Sequence, residues 1–104
     1  MIPRIVRRRQ ALEDLANHVD YLRDNAGPDV AQRFVRAAQE TFTYLAEKPG
    51  SGCPCEFESP RAKALLWWPI KGFKNHLVFF RHTRDGIEVV RVLHAAQNWQ
   101  SIFQ

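Results

Sequence analysis

Cysteine is nearly missing from this chain: Cys53 and Cys55 are the only two, one proline apart. A disulfide across that spacing is strained, because a bridge needs a specific Cα and Cβ geometry. Reduced thiols in a loop are therefore expected. One Cys-x-Cys with no second cysteine pair is also a poor zinc pattern, even with His76, His82 and His94 further along. No metal and no cofactor are expected. Long apolar runs are lacking too: none approaches the ~18–20 residues that span a bilayer, so no membrane partner is expected. The opening MIPRIVRRRQALEDL has a basic cluster but no apolar h-region and no small-residue cleavage site. A cytoplasmic location is the expectation. Tyrosine is scarce, and none follows Tyr44.

At 104 residues there is room for a single domain, residues 1–104. A chain of this size buries roughly two thirds of its unfolded surface, enough for one core without metal or disulfide staples. The formal charge of +4 favours acidic partners, either nucleic acid or an acidic protein segment. Charge serving solubility alone explains the same number.

What is present is concentrated between Ala62 and Ala95. Three strands read there, at Lys63–Ile70, His76–Arg81 and Ile87–His94. The breaks are Lys71–Asn75 and Thr83–Gly86. Asp85-Gly86 between apolar runs is a strong hairpin signal, since both residues tolerate positive φ. Upstream, Pro3–Arg8 reads as a short strand whose proline suits an edge. Leu12, Leu15, Val19 and Leu22 recur at three and four, which puts them on one face of a helix from Gln10 to Asp24. Asp14 then faces outward, and His18 flanks the stripe as a packing residue. Gly27-Pro28 ends that helix and starts another, Pro28–Lys48, with Val30, Phe34, Ala37 or Ala38, Thr41 and Leu45 inward. The prolines and glycines of Pro49–Pro60 point to a loop without regular structure. After the sheet, Trp99, Ile102 and Phe103 stand at helical spacing, in a short helix or a flexible tail. The fold class is α+β in the order β-α-α-β-β-β, a helical hairpin packed on a mostly antiparallel sheet. The long crossover lets strand one join beside a non-sequential neighbour.

Several landmarks carry a resemblance. They are Ala11…Asp14-Leu15 in the first helix, Leu45…Pro49…Gly52 at the exit from the helical pair, Gly72–Arg81 (GFKNHLVFFR), Asp85-Gly86, and Val89–Ala95 (VVRVLHA). In this order and spacing, over nearly the whole chain, the sequence resembles the RelE/ParE superfamily of type II toxin–antitoxin toxins, and the ParE branch more closely. The resemblance implies a small toxin, of the kind found in plasmid-stabilisation modules, wrapped and neutralised by a cognate antitoxin. It implies contact with operator DNA only through the antitoxin complex. ParE-type relatives poison DNA gyrase; RelE-type relatives cleave mRNA on the ribosome.

The two activities ask for different residues. Cleavage by 2′-hydroxyl attack without a metal needs a proton acceptor, a proton donor and cations for the phosphorane charge. Lys71, Arg81, Arg91 and His94 are the candidates for a ribonuclease. Their use hinges on the hairpin loop. A two-residue loop pairs Arg81 with Val90 and sends the arginines to opposite faces; a three-residue loop sets them opposite each other as an anion site. In the plainer reading each arginine meets solvent or an internal acid, and His94 is a structural hydrogen-bonding group. RNA-cleaving relatives often carry a tyrosine near the C-terminus, whereas this chain has Trp99, which cannot shuttle a proton. Trp67 and Trp68 fall on opposite faces of one strand. A tryptophan among basic residues suits a protein interface. The surface expected to meet target or antitoxin comprises Trp67, Trp68, Lys71, Lys74, His76, Arg81, Arg91, His94 and Trp99. Arg7-Arg8-Arg9 either contacts phosphates or keeps a strand edge from pairing. The expectation is a non-enzymatic ParE-like toxin that inhibits DNA gyrase. The alternatives are a metal-independent, ribosome-dependent mRNA endoribonuclease, and a non-toxic relative retained for antitoxin binding.

Overall fold

The computed structural model describes residues 2–56 and 59–103. Its elements are β1 (Arg4–Arg7), α1 (Arg9–Ala26), α2 (Pro28–Glu47), β2 (Cys53–Pro54), a 3-10 turn (Pro60–Ala62), β3 (Leu66–Ile70), β4 (Phe73–Thr83), β5 (Gly86–His94) and α3 (Trp99–Phe103). The strands form one sheet in the order β1-β5-β4-β3-β2. β1 runs parallel to β5, and every other pairing is antiparallel. The first strand thus sits beside the last, which only the long crossover through α1 and α2 permits. No described helix is long and apolar enough to cross a membrane.

Gly27 joins the two long helices at φ +101°, and its N–H bonds the Leu22 and Arg23 carbonyls. Pro28 opens α2, where its missing N–H is no loss. The helical pair covers one face of the sheet. Phe34, Ala38, Phe42 and Leu45 of α2 meet Ile70, Val78, Phe80, Ile87, Val89 and Val92 there. The opposite face has a core of its own, in which Ala62, Leu65 and Phe103 pack on Leu77, Phe79, Val90 and Leu93. α3 belongs to this second layer: Trp99 and Phe103 stand 5.4 and 5.1 Å from the Phe79 ring.

The structure corrects four expectations. Leu12 is 49% exposed, while Ala11 is fully buried. The inward face of α1 is rotated toward Ala11, Leu15, His18 and Leu22, which carries Asp14 inward with it. The Pro49–Pro60 stretch is not without regular structure, because Cys53 and Pro54 pair with Trp67 and Leu66; Phe57 and Glu58 lie outside the described residues. β4 begins at Phe73, so the break before it is only Lys71-Gly72.

The fourth correction concerns the second hairpin. Thr83 pairs with Gly86, so the loop is Arg84-Asp85. Among the described non-glycine residues only Ala64 has positive φ, and Gly86 is not among the glycines that do. The glycine is needed for closeness instead: a Cβ on Gly86 would lie 1.8 Å from the Arg4 carbonyl oxygen of β1.

Candidate functional site

The hairpin register decides what the arginines do. With Arg84-Asp85 as the loop, Arg81 pairs with Glu88. A bulge then follows, since Phe80 pairs with Val89 but Phe79 with Arg91, leaving Val90 as the extra residue. Neither register expected from the sequence occurs. The bulge nevertheless brings Arg81 and Arg91 to one cleft of about 320 Å³, shared with Arg8, Arg61 and Glu88.

Each guanidinium has partners inside the fold. Arg91 donates from Nε and Nη2 to the two carboxylate oxygens of Asp14, at 2.7 and 2.9 Å. That hydrogen bonding, outweighing burial, holds Arg91 still more firmly in its charged form. Arg81 donates from Nε to the Lys63 carbonyl at 3.0 Å and from Nη2 to the Arg61 carbonyl at 2.6 Å. Its distance to the Glu88 carboxylate is 3.9 Å, whereas Arg8 reaches the same carboxylate at 3.1 Å. The cleft is cationic, but its two central arginines hold a turn and a helix in place. Arg7 lies 5.5 Å from the Phe42 ring centroid, so of the three-arginine run two members pack on this fold.

A histidine cluster stands at the end of the sheet where β4 and β5 pair His76 with His94. The His76 ring lies 4.9 Å from that of His18 and 5.1 Å from that of His94, with Phe34 at 5.0 Å. Burial first, then the neighbouring His18 and His94, lower the His76 pKa from 6.5 to about 4. His18 donates from Nε2 to the Val92 carbonyl at 2.8 Å. His94 Nδ1 accepts the Ala96 N–H at 3.1 Å, which joins the ring to the turn that launches α3. No group of three or more His, Cys, Asp or Glu side chains among the described residues is arranged to hold a metal ion.

The two tryptophans of β3 part as adjacent strand residues must. Trp67 faces the second core with Trp99, whose Nε1 donates to the His94 carbonyl at 3.3 Å. Trp68 faces the helical side and stacks on Tyr44 of α2, ring centroids 6.3 Å apart at 21°. Tyr44 is 46% exposed. With Pro69, Ile70, Lys71 and Lys74 this pair lines a groove of about 520 Å³ between α2 and the β3–β4 turn. Lys48 stands 5.9 Å from the Tyr44 ring centroid. β2 pairs with β3 only as far as Trp67, so among the described residues the outer edge of β3 from Trp68 onward has no strand beside it. Pro69 blunts that edge, having no N–H to offer a further strand.

The fold therefore scatters the residues picked out in sequence. Arg81 and Arg91 share the cationic cleft, Lys71 and Lys74 share the aromatic groove with Trp68, His76 joins His94, and Trp67 joins Trp99. Sequence reasoning missed Asp14, His18 and Tyr44. Ala11, Asp14 and His18 recur at three and four, a signal masked by the larger Leu12.

A search among curated proteins returns no match. Among solved structures the chain is similar to one described as a chromosomal ParDE toxin–antitoxin system from P. aeruginosa. Identity to it is 21% at a TM-score of 0.72, over 89% of this chain and 96% of that one, a likeness of fold. The family model for the ParE toxin of the type II toxin–antitoxin system parDE matches residues 5–99. Matched over nearly its whole length, the chain belongs to the ParE toxin family.

Proposed function

We propose that this ParE-family chain is a toxin that works by binding its target, DNA gyrase, and is held inactive by a cognate antitoxin that folds onto it. The observation that carries this reading is the separation of the residues a ribonuclease would use. Lys71, Arg81, Arg91 and His94 would have to surround one phosphate. Instead Lys71 lines the groove beside Trp68, Arg81 and Arg91 line the cleft behind the hairpin, and His94 lines neither. Arg91 is neutralised by Asp14 at 2.7 Å, which weakens its hold on a phosphorane. The chain has no tyrosine beyond Tyr44 to act as a proton donor.

Binding needs a surface rather than a catalytic set, and the groove between Tyr44 and Trp68 has the makeup of one. An aromatic pair supplies rigid apolar area, Lys71 and Lys74 outnumber the single carboxylate of Glu40 in its lining, and Lys48 stands beside Tyr44. An acidic antitoxin segment that is disordered when free would gain order on such a surface, and the charge of +4 would speed its approach.

Two assays on the purified chain test the reading. Inhibition of gyrase supercoiling, with ribosome-bound mRNA left intact and inhibition relieved by the co-encoded antitoxin, is the expected result. Cleavage of mRNA with supercoiling untouched would replace it by the ribonuclease reading.

A further inference from the structure

The Cys53-Pro54-Cys55 segment has no part in the functions above, yet the sheet gives it a defined geometry. Cys53 lies opposite Trp67 in the β2–β3 pair. Just past the end of β2, two positions further on, the Cys55 N–H donates to the Leu65 carbonyl and continues the register. Residues two apart on a strand share a face. Both thiols therefore stand on the side of Leu65, Trp67 and α3, with Pro54 turned away. The two line a cavity of about 740 Å³ together with Pro54, which borders it between them, Glu56, Trp67, Trp99 and Gln100. Both are free and partly accessible.

We propose that Cys53 and Cys55 form a two-thiolate site for a soft monovalent cation of the Cu(I) class. The spacing selects this chemistry. Two residues of strand separate the Cα atoms by roughly 6.6 Å, at the far end of what a disulfide tolerates, and a bridge would also need its Cβ atoms about 3.8 Å apart. An ion between two sulfurs asks for less. With metal–thiolate bonds near ~2.3 Å, the sulfurs stop about 4.6 Å apart, a separation that side-chain rotation alone supplies. Zinc wants four ligands. His76 and His82 pack with Phe34 and Phe80 on the helical face of the sheet, opposite the thiols, and His82 Nε2 already donates to the Ser51 carbonyl at 2.9 Å. Soft two-coordinate ions need only the pair.

Binding is an exchange without redox change. Two S–H bonds are lost, two S–Cu bonds form, both protons leave to solvent, and copper stays at +1. The product carries one more negative charge than the site with two neutral thiols. Arg81, near enough to favour the Cys55 thiolate, offsets part of it. Burial pushes the Cys55 thiol up to about 11, so at neutral pH it is protonated and a poor nucleophile. A thiophilic cation displaces that proton where an alkylating agent reacts slowly.

Trp67 and Trp99 supply the readout. The intact reduced chain is titrated anaerobically with Cu(I) against a chromophoric Cu(I) chelator while tryptophan emission is followed. One ion per chain with quenching is expected. Cys53→Ser and Cys55→Ser should each weaken binding by more than the ~10–100-fold typical of losing an outer hydrogen-bond partner. Trp99→Phe should keep the affinity and lose part of the quench. In wild type, one equivalent should also protect Cys53 from N-ethylmaleimide, a result that needs no variant to fold. Undiminished Cu(I) affinity in Cys53→Ser/Cys55→Ser would overturn the site. So would Zn(II) binding as tightly as Cu(I), or affinity lost only in His76→Gln. None of these outcomes bears on gyrase or antitoxin.

Discussion

Asp14 and Arg91 join the first helix to the last strand through a two-pronged ion pair, their side chains only 12% and 20% exposed. The same Asp14 oxygen that meets Arg91 Nε accepts the backbone N–H of Val92 at 3.0 Å. β1 stops pairing with β5 at Val89, and α1 takes over from there. Asp14 receives the N–H of Val92, and His18 donates to its carbonyl at 2.8 Å. Helical side chains thus finish the edge of a strand whose partner has ended, satisfying groups that are costly to leave bare.

Asp14→Ala strands the Arg91 guanidinium and the Val92 N–H together, so the loss should reach about 3 kcal/mol or more. Urea unfolding followed by tryptophan emission measures it. Asp14→Ala combined with Arg91→Met should recover much of the loss, because no uncompensated charge then remains. A double variant as unstable as the single one would show that the Val92 bond, not the ion pair, dominates.

Gly86→Ala tests the contact between the second hairpin and β1. The added methyl meets backbone, which has no rotamer to move aside, so β1 must leave β5. A loss of about 3 kcal/mol or more is expected, at the upper end of overpacking effects. Amide exchange should quicken at Arg4, whose N–H donates to the Asp85 carbonyl at 2.9 Å. An unchanged midpoint would mean that the hairpin yields instead.

His76 makes the fold sensitive to acid. Its folded pKa near 4 lies below the ordinary 6.5, so between those values the unfolded chain binds the extra proton. The stability it contributes is fully present above pH 6.5 and falls as pH drops toward 4. With the ring only partly buried, about 1–2 kcal/mol is expected rather than the full linkage value. Denaturation at several pH values should show that slope, and His76→Gln should flatten it. The His18 and His94 rings flank it, so ring-proton NMR is the probe that separates the three.

Lys71→Glu/Lys74→Glu tests the groove within the proposed function. Reversing both charges should slow antitoxin association about tenfold or more at low salt, with the difference shrinking as salt rises. Trp68→Ala should instead raise dissociation, by about 2 kcal/mol if the residue is a binding hot spot. Stopped-flow mixing distinguishes the two effects. Unaltered kinetics in both variants would move the interface elsewhere on the toxin.

Local periodicity carried most of the architecture. Residues at three and four marked both helices, apolar runs bounded by turn residues marked the strands, and Gly27-Pro28 marked the break between helices. These signals are legible because backbone geometry imposes them on neighbours along the chain. The failures came where one local rule met a distant partner. Leu12 outweighed Ala11 on any hydrophobicity count, yet the small Ala11 is the residue that fits beneath the helix at zero exposure. Asp85-Gly86 read as a turn of positive φ, and the glycine proved to be clearing space for Arg4.

The candidate surfaces were half visible. Each residue type was identifiable, but its company was not. The amino-acid sequence by itself determined the α+β order, the family and the stock of cationic and aromatic side chains. Tertiary structure alone decided the grouping: Asp14 with Arg91, His18 with His76, Tyr44 with Trp68, and two thiols with two tryptophans. The bulge at Val90 and the rotation of α1 about its axis set the first two, and the docking of α2, β2 and α3 on β3 and β4 set the others. Both depend on how separate elements pack, which no short stretch of chain encodes.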